Sequence, residues 1–383
     1  MTPEAAQKAR EGASGQWLSP AEAQSLEAEW ADLAARAIEP NPFYSPALLI
    51  PAIESFAKDG VRIAVMRDGA GRLIGLLPVA PLRGYSRLPV RYLASWMYEH
   101  CFFAAPLLRN GEEARALSAL FDLVEGEGAF FRLRHLSADG PIAAAVRRTC
   151  WETGRRAASS GRYERAMLAG GYETQSALEA ALRGKKRKEL RRQRARLEEQ
   201  GALKFEALRD ARDVEPWTEV FLALEIAGWK GGAATALAST PEGAAFFRAA
   251  VRRAFEAGML DFFRLAVAER PVAMIVNFTE RGGSYSFKIA YDEEYSRFSP
   301  GVQLEIEMMR TFEAREGLKF VDSCAAADHP MINSLWRERR AIEAVNISGR
   351  SAAAKALFSV LTGLERLGDR WRDAKSGASD DDL

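Results

Sequence analysis

Residues 284–291 alternate, with Tyr285, Phe287 and Ile289 on one side and Ser286, Lys288 and Ala290 on the other. A turn follows, Ser299-Pro300-Gly301-Val302-Gln303, and it opens an apolar-periodic helix. Where a strand leads into a helix N-terminus, backbone N–H groups without intrahelical partners converge, and they suit a phosphate or another anion. Gly301, Val302 and Gln303 each offer one, Pro300 has none to offer, and Ser299 stands at the cap. The bland alternative for the same five residues is an ordinary capped turn.

A second group has acid–base character. His329 lies in the polar turn Ala327-Asp328-His329-Pro330, shortly after Asp322 at the end of a short apolar strand. An imidazole titrates near neutrality, so His329, held by Asp322 or Asp328, is a candidate base for an attacking amine. Its plain alternative is a helix-start residue. Glu225, one helical turn before Trp229, is a second candidate base if partly buried. Trp229 and Lys230, among Gly228, Gly231 and Gly232, can orient an acceptor or neutralise donor phosphate. In the N-terminal half His100 beside Glu99 is a rival acid–base pair, with Tyr98 next to it as a pocket residue. Lys288 and Tyr291 complete the candidate substrate contacts, and Tyr291 and Tyr295 carry phenols that can donate a proton. His100, His135 and His329 are too scattered for a metal site, so none is expected. Cys101 beside His100 is no dyad by adjacency alone.

These residues need elements to position them. The 383 residues are 48% hydrophobic, enough for two cores. With 53 basic against 52 acidic residues, the net charge of +1 argues against DNA as a partner. Three widely spaced cysteines fit a reducing compartment, no apolar run is long enough to span a bilayer, and the N-terminus has no signal-like run. A cytoplasmic protein is expected, with possible contact at the inner face of a bacterial membrane through Lys185 to Arg196. That segment, within GKKRKELRRQRARLEEQG, carries eight Lys and Arg and spells one basic helix. Each half then repeats helices, a hairpin, strands and helices, which predicts a mixed α/β (α+β) fold. The expected division is a mobile segment 1–20, a first domain 21–172 closed by an edge strand at 163–168, a basic linker helix 173–201, a second domain 202–367 and a disordered tail 368–383.

Three stretches in the second half, LRRQRARLEEQG, LEIAGWKGGAATAL and FKIAYDEEYSRFSPGVQLEIEMM followed by FVDSC, resemble tandem GNAT-fold acyltransferases of the CelD/BcsL-like, FemAB-related group. Bacterial sphingolipid-forming N-acyltransferases look similar. The resemblance implies two GNAT-like domains joined by the basic helix, the first degenerate and the second catalytic. It implies acyl transfer from an acyl-CoA or acyl carrier, as co-substrate and not as a resident cofactor, to an amine or hydroxyl of a lipid or glycan precursor. Ser299, Gly301, Val302, Gln303 and Ile289 then hold the donor, and a main-chain N–H of the Phe287–Ala290 strand polarises its carbonyl. Only Gly301 remains of the several glycines usual in such a loop. Other readings are an O-acetyltransferase acting on exopolysaccharide, an aminoacyl-tRNA-dependent peptidyl transferase, and a non-catalytic membrane-associated interaction module.

Overall fold

The structure, a computed structural model, describes residues 12–85, 88–228, 232 and 235–377, with side chains to 366. Its chain divides into two compact units, both discontinuous in sequence. The first comprises residues 1–44, 58–163 and 341–383, and the second 45–57 and 164–340.

In the first unit, β1 (Ser14–Leu18), β2 (Arg62–Arg67), β3 (Leu73–Tyr85) and β4 (Leu88–Ser95) form an antiparallel meander. Residues expected to be mobile thus include a strand, because Trp17 and its neighbours pair with the apolar β2. Ser19 then caps α1 (Pro20–Gln24) in a reciprocal capping box with Glu22, and α2 (Glu27–Ala35) follows. The short β5 (Leu107–Leu108) pairs with β3 and leads to α4 (Glu113–Leu123); α3 (Pro46–Phe56) belongs to the second unit. Next, β6 (Phe131–Ser137) lies parallel to β4, and α5 (Pro141–Glu152) follows. The neighbour of β6 on its other side is β13 (Glu338–Ile347), from near the far end of the chain. After it, α12 runs from Ala352 to Gly377, so the helix continues past residue 368, where a disordered tail is expected.

The second unit repeats this order. Here β8 (Leu203–Ala207), β9 (Leu260–Val267), β10 (Arg270–Glu280) and β11 (Gly283–Tyr291) form the meander, with β12 (Phe320–Asp322) parallel to β11. The antiparallel neighbour of β12 is the end of β7 (Ala157–Ala169). The Tyr163–Leu168 segment is therefore no edge strand: Val321 and Asp322 pair with Leu168 and Met167. Each meander is completed by a strand from the other half of the sequence.

Helices α8 (Val214–Ala227) and α9 (Pro241–Glu256) lie between β8 and β9, and α3 (Pro46–Phe56) packs on α9, its Phe56 ring 5.2 Å from that of Phe246. The basic helix α7 (Gly184–Glu198), after α6 (Thr174–Ala181), is part of this unit. Its two leucines, Leu190 and Leu197, enter the core together with Phe298, Leu304 and Met308. Burying two leucines favours this placement by roughly 3–6 kcal/mol before entropy is counted, so the helix is more than a connector. Among the described residues no helix is long and apolar enough to cross a membrane.

Candidate active site

Strands β11 and β12 pair only through Gly283–Tyr285 and Phe320–Asp322, and then part. β12 ends at Asp322, while β11 runs on to Tyr291 against β10. A pocket of about 560 Å³ opens there. Its walls are Ile289, Ala290 and Tyr291 of β11, the start of α10 (Pro300–Glu313), the end of α8, and His329, Pro330 and Met331 at the start of α11 (Pro330–Leu335).

The start of α10 is open. Ser299 has left-handed backbone (φ 53°) and its hydroxyl caps nothing, so the first-turn N–H groups of Gly301 and Val302 have no side-chain partner. The Gln303 N–H, in contrast, already donates to the Ser299 carbonyl at 3.1 Å, and its side-chain amide donates to Leu190 O at 3.0 Å. The expected three-donor cradle therefore has two donors, because Gln303 is the first residue inside the helical ladder. A Cβ at Gly301 would sit 3.5 Å from Ile289 Cδ1, so one methyl fits there and a larger side chain would intrude on the pocket.

Glu225 continues the buried stripe Val214, Trp217, Thr218, Phe221 and Leu222 of α8, and only 2% of it is exposed. Its carboxylate accepts from Lys288 Nζ at 3.0 Å and from the Leu237 N–H at 2.7 Å. Lys288 also donates to the Thr235 carbonyl at 3.3 Å. A carboxylate at the end of an apolar helix stripe is the signal that marks Glu225, whereas its pairing with Lys288 could not be read from spacing.

His329 reaches the pocket in another role. It caps α11, and its Nδ1 accepts from the Ile332 N–H at 3.4 Å, a weak bond. A ring that accepts at Nδ1 carries its proton on Nε2 while it is neutral. Asp322 does not orient this ring. Its oxygens are occupied by Arg165 (2.7 Å), Arg340 (2.8 Å) and the Cys324 N–H (2.9 Å). Burial alone would raise its carboxyl, but the two guanidiniums outweigh it and hold Asp322 below the ordinary carboxylate range. It is an anchor where β12 ends. Asp328 is exposed.

His100, Glu99 and Tyr98 belong to the first unit and do not line this pocket. His100 is buried while Glu99 is exposed, so the neighbours do not share an environment. Tyr98 donates to Phe43 O at 3.1 Å, and burial raises its phenol well above the usual value. Trp229 and Lys230 lie outside the described residues. Among the described residues no cluster of His, Cys, Asp and Glu could hold a metal ion, and all three cysteines are buried free thiols.

Residues 184–329, from the first residue of α7 to His329, match the family model described as an acetyltransferase (GNAT) domain. The chain carries a GNAT-type acyltransferase domain. The match supports an acyl-CoA-dependent transferase activity, and the matched segment holds every pocket residue except Pro330 and Met331. No curated protein matches the sequence. Among solved structures, the C-terminal domain of a putative lysylphosphatidylglycerol synthetase from Agrobacterium fabrum is similar at 13% identity, with a TM-score of 0.54. That match covers 90% of this chain and 95% of that one. FemX is similar at 10% identity and a TM-score of 0.53, covering 87% and 96%. At these identities the likeness is one of fold.

Proposed function

We propose that the β11–β12 pocket transfers an acyl group from an acyl-CoA or related thioester to an amine of a lipid or envelope precursor, by direct attack. The observation that carries this reading is the presence of Glu225 and the uncapped α10 N-terminus in one pocket. The Gly301 and Val302 N–H groups bind the donor diphosphate, with the helix dipole behind them. The acceptor nitrogen adds to the thioester carbonyl, forming the C–N bond, and its proton passes to Glu225. The C–S bond breaks, and the thiolate takes a proton from Tyr291, which lines the same pocket. No covalent enzyme intermediate is involved.

Lys288 and the Leu237 N–H hold the Glu225 carboxylate in place. His329, in the same lining, contributes a donor. On this reading the repeated meander makes the chain a tandem of two GNAT-like units, with the chemistry confined to the second.

The test uses the purified full chain with acetyl-CoA and palmitoyl-CoA as donors and extracted lipids as acceptors. It follows free thiol and identifies products by mass spectrometry. Glu225→Gln is expected to lower kcat by about 10²–10⁴-fold at unchanged donor KM. Wild-type kcat in this variant would remove Glu225 from the mechanism. Turnover that is ribonuclease-sensitive and releases no CoA would replace the thioester donor with an aminoacyl-tRNA.

A further inference from the structure

The eight cations of the α7 run are not equivalent. Arg187, Arg191 and Arg194 recur at i, i+4 and i+7, so they share a face beside the buried Leu190. Together with Arg310 of α10 they line a second pocket of about 220 Å³, floored by Leu182 and Ile306. It shares no lining residue with the donor pocket: Val302 faces one, Gln303 and Arg310 the other.

The ion pairs in this pocket leave charge over. Arg194 pairs with Glu198 at 3.2 Å and with Glu307 at 2.5 Å, and Arg310 shares Glu307 at 2.9 Å. The carboxylate lining the pocket, Glu179, accepts from Gln175 at 2.6 Å. Among the described residues neither Arg187 nor Arg191 has a carboxylate within ion-pair distance, although Arg187 is half-buried. Four guanidiniums against Glu179, Glu198 and Glu307 leave a surplus of one positive charge, and Arg187 and Arg191 are the two outside these ion pairs. Planar guanidiniums match phosphate oxygens in a paired, two-bond geometry. The volume would hold roughly seven waters, enough for a phosphate ester or a diphosphate head with an apolar stem on Leu182 and Ile306.

We propose that this pocket binds a compact phosphate head group, with Arg187 and Arg191 as its two principal contacts. The site stands on its own ion-pair pattern and does not depend on Glu225 being catalytic. Either a soluble phosphate ester or a phospholipid head group supplies the same chemistry.

The test is calorimetric titration of the full chain with inorganic pyrophosphate, alongside sedimentation with phosphatidylcholine vesicles that contain phosphatidylglycerol. Arg187→Gln/Arg191→Gln is compared with Lys185→Gln/Lys188→Gln, which removes equal charge from the same helix away from the pocket. Circular dichroism verifies that both variants fold. The arginine variant is expected to lose about tenfold in affinity or more, and the lysine variant several-fold less. The loss appears in the vesicle arm if the source is a phospholipid, and in the pyrophosphate arm alone if it is a soluble ester. Equal losses in the two variants, or no binding of either probe by the wild-type chain, would overturn the proposal.

Discussion

The helix that follows the fourth meander strand begins very differently in the two units. In the second, α10 opens on Pro300, Gly301 and Val302 with no acidic residue in its first turn and no side-chain cap. In the first, α4 opens on Glu112 and Glu113. There Glu113 accepts from the Gly111 N–H at 2.8 Å, and Glu112 is paired with Arg72 at 3.0 Å and Arg115 at 2.9 Å. A helix N-terminus attracts anions; neither end has a side-chain cap, but α4 sets the carboxylates of Glu112 and Glu113 at its start while α10 sets none. The same topology therefore yields one anion-accepting end and one that repels anions. Duplicated architecture does not imply duplicated function, because a few first-turn residues set the difference.

The most damaging perturbation should be Asp322→Ala, which takes away the anchor at the parting of β11 and β12. It strands Arg165 and Arg340 as buried cations, so a loss of about 3–5 kcal/mol in chemical denaturation is expected. In the wild type this contribution is present above the ordinary aspartate range and is lost as pH falls through the depressed folded value. Gly301→Leu should raise donor KM by about tenfold or more, because its side chain would enter the pocket beside Ile289 and Tyr291. The matching change in the first unit, Glu113→Gln, should leave kinetics unchanged and cost about 0.3–1 kcal/mol of stability. Equal kinetic effects from the two substitutions would erase the contrast between the helices.

Glu305 of α10 offers a finer test. It is buried in the second unit, one of its carboxyl oxygens has no hydrogen-bond partner, and burial raises it to about 8. The protonated form is the one the fold favours. Its stabilisation is full below the ordinary glutamate value of 4.5 and is lost as pH climbs towards 8. Denaturation midpoints should fall across that interval, and Glu305→Gln should flatten the fall. Within the pocket, the smallest kinetic effect is expected from His329→Ala. Removing a neutral donor should raise KM by about three- to tenfold and leave kcat nearly intact, whereas a collapse of kcat would restore His329 as the base.

Much of this site is legible in the sequence. Ile289 and Tyr291 lie on an alternating strand, Ser299 to Val302 on a helix-opening turn and His329 before a proline, so local periodicity locates all of them. Gln303 was one residue too far, since a turn seen in sequence does not show which N–H starts the ladder. The partners of buried charges were hidden: Arg165 and Arg340 are distant in sequence from Asp322, and Lys288 is distant from Glu225. No spacing rule links residues that meet only across a folded sheet. The exchange of β7 and β13 was hidden for a related reason. Strand pairing is a matter of backbone hydrogen bonds, and nothing in Tyr163–Leu168 names Phe320–Asp322 as its neighbour. The boundaries expected at 172 and 201 follow composition, whereas the compact units follow these pairings.

That exchange also bears on how the polypeptide is made. The first sheet receives β13 only after residue 347 has been synthesised, although its preceding strand, β6, ends at residue 137. A nascent chain must therefore carry an incomplete sheet with an exposed apolar edge through most of its translation. Non-local pairing of this kind slows folding and lengthens exposure to aggregation. Chains truncated before β13 should consequently be the species that chaperones hold longest.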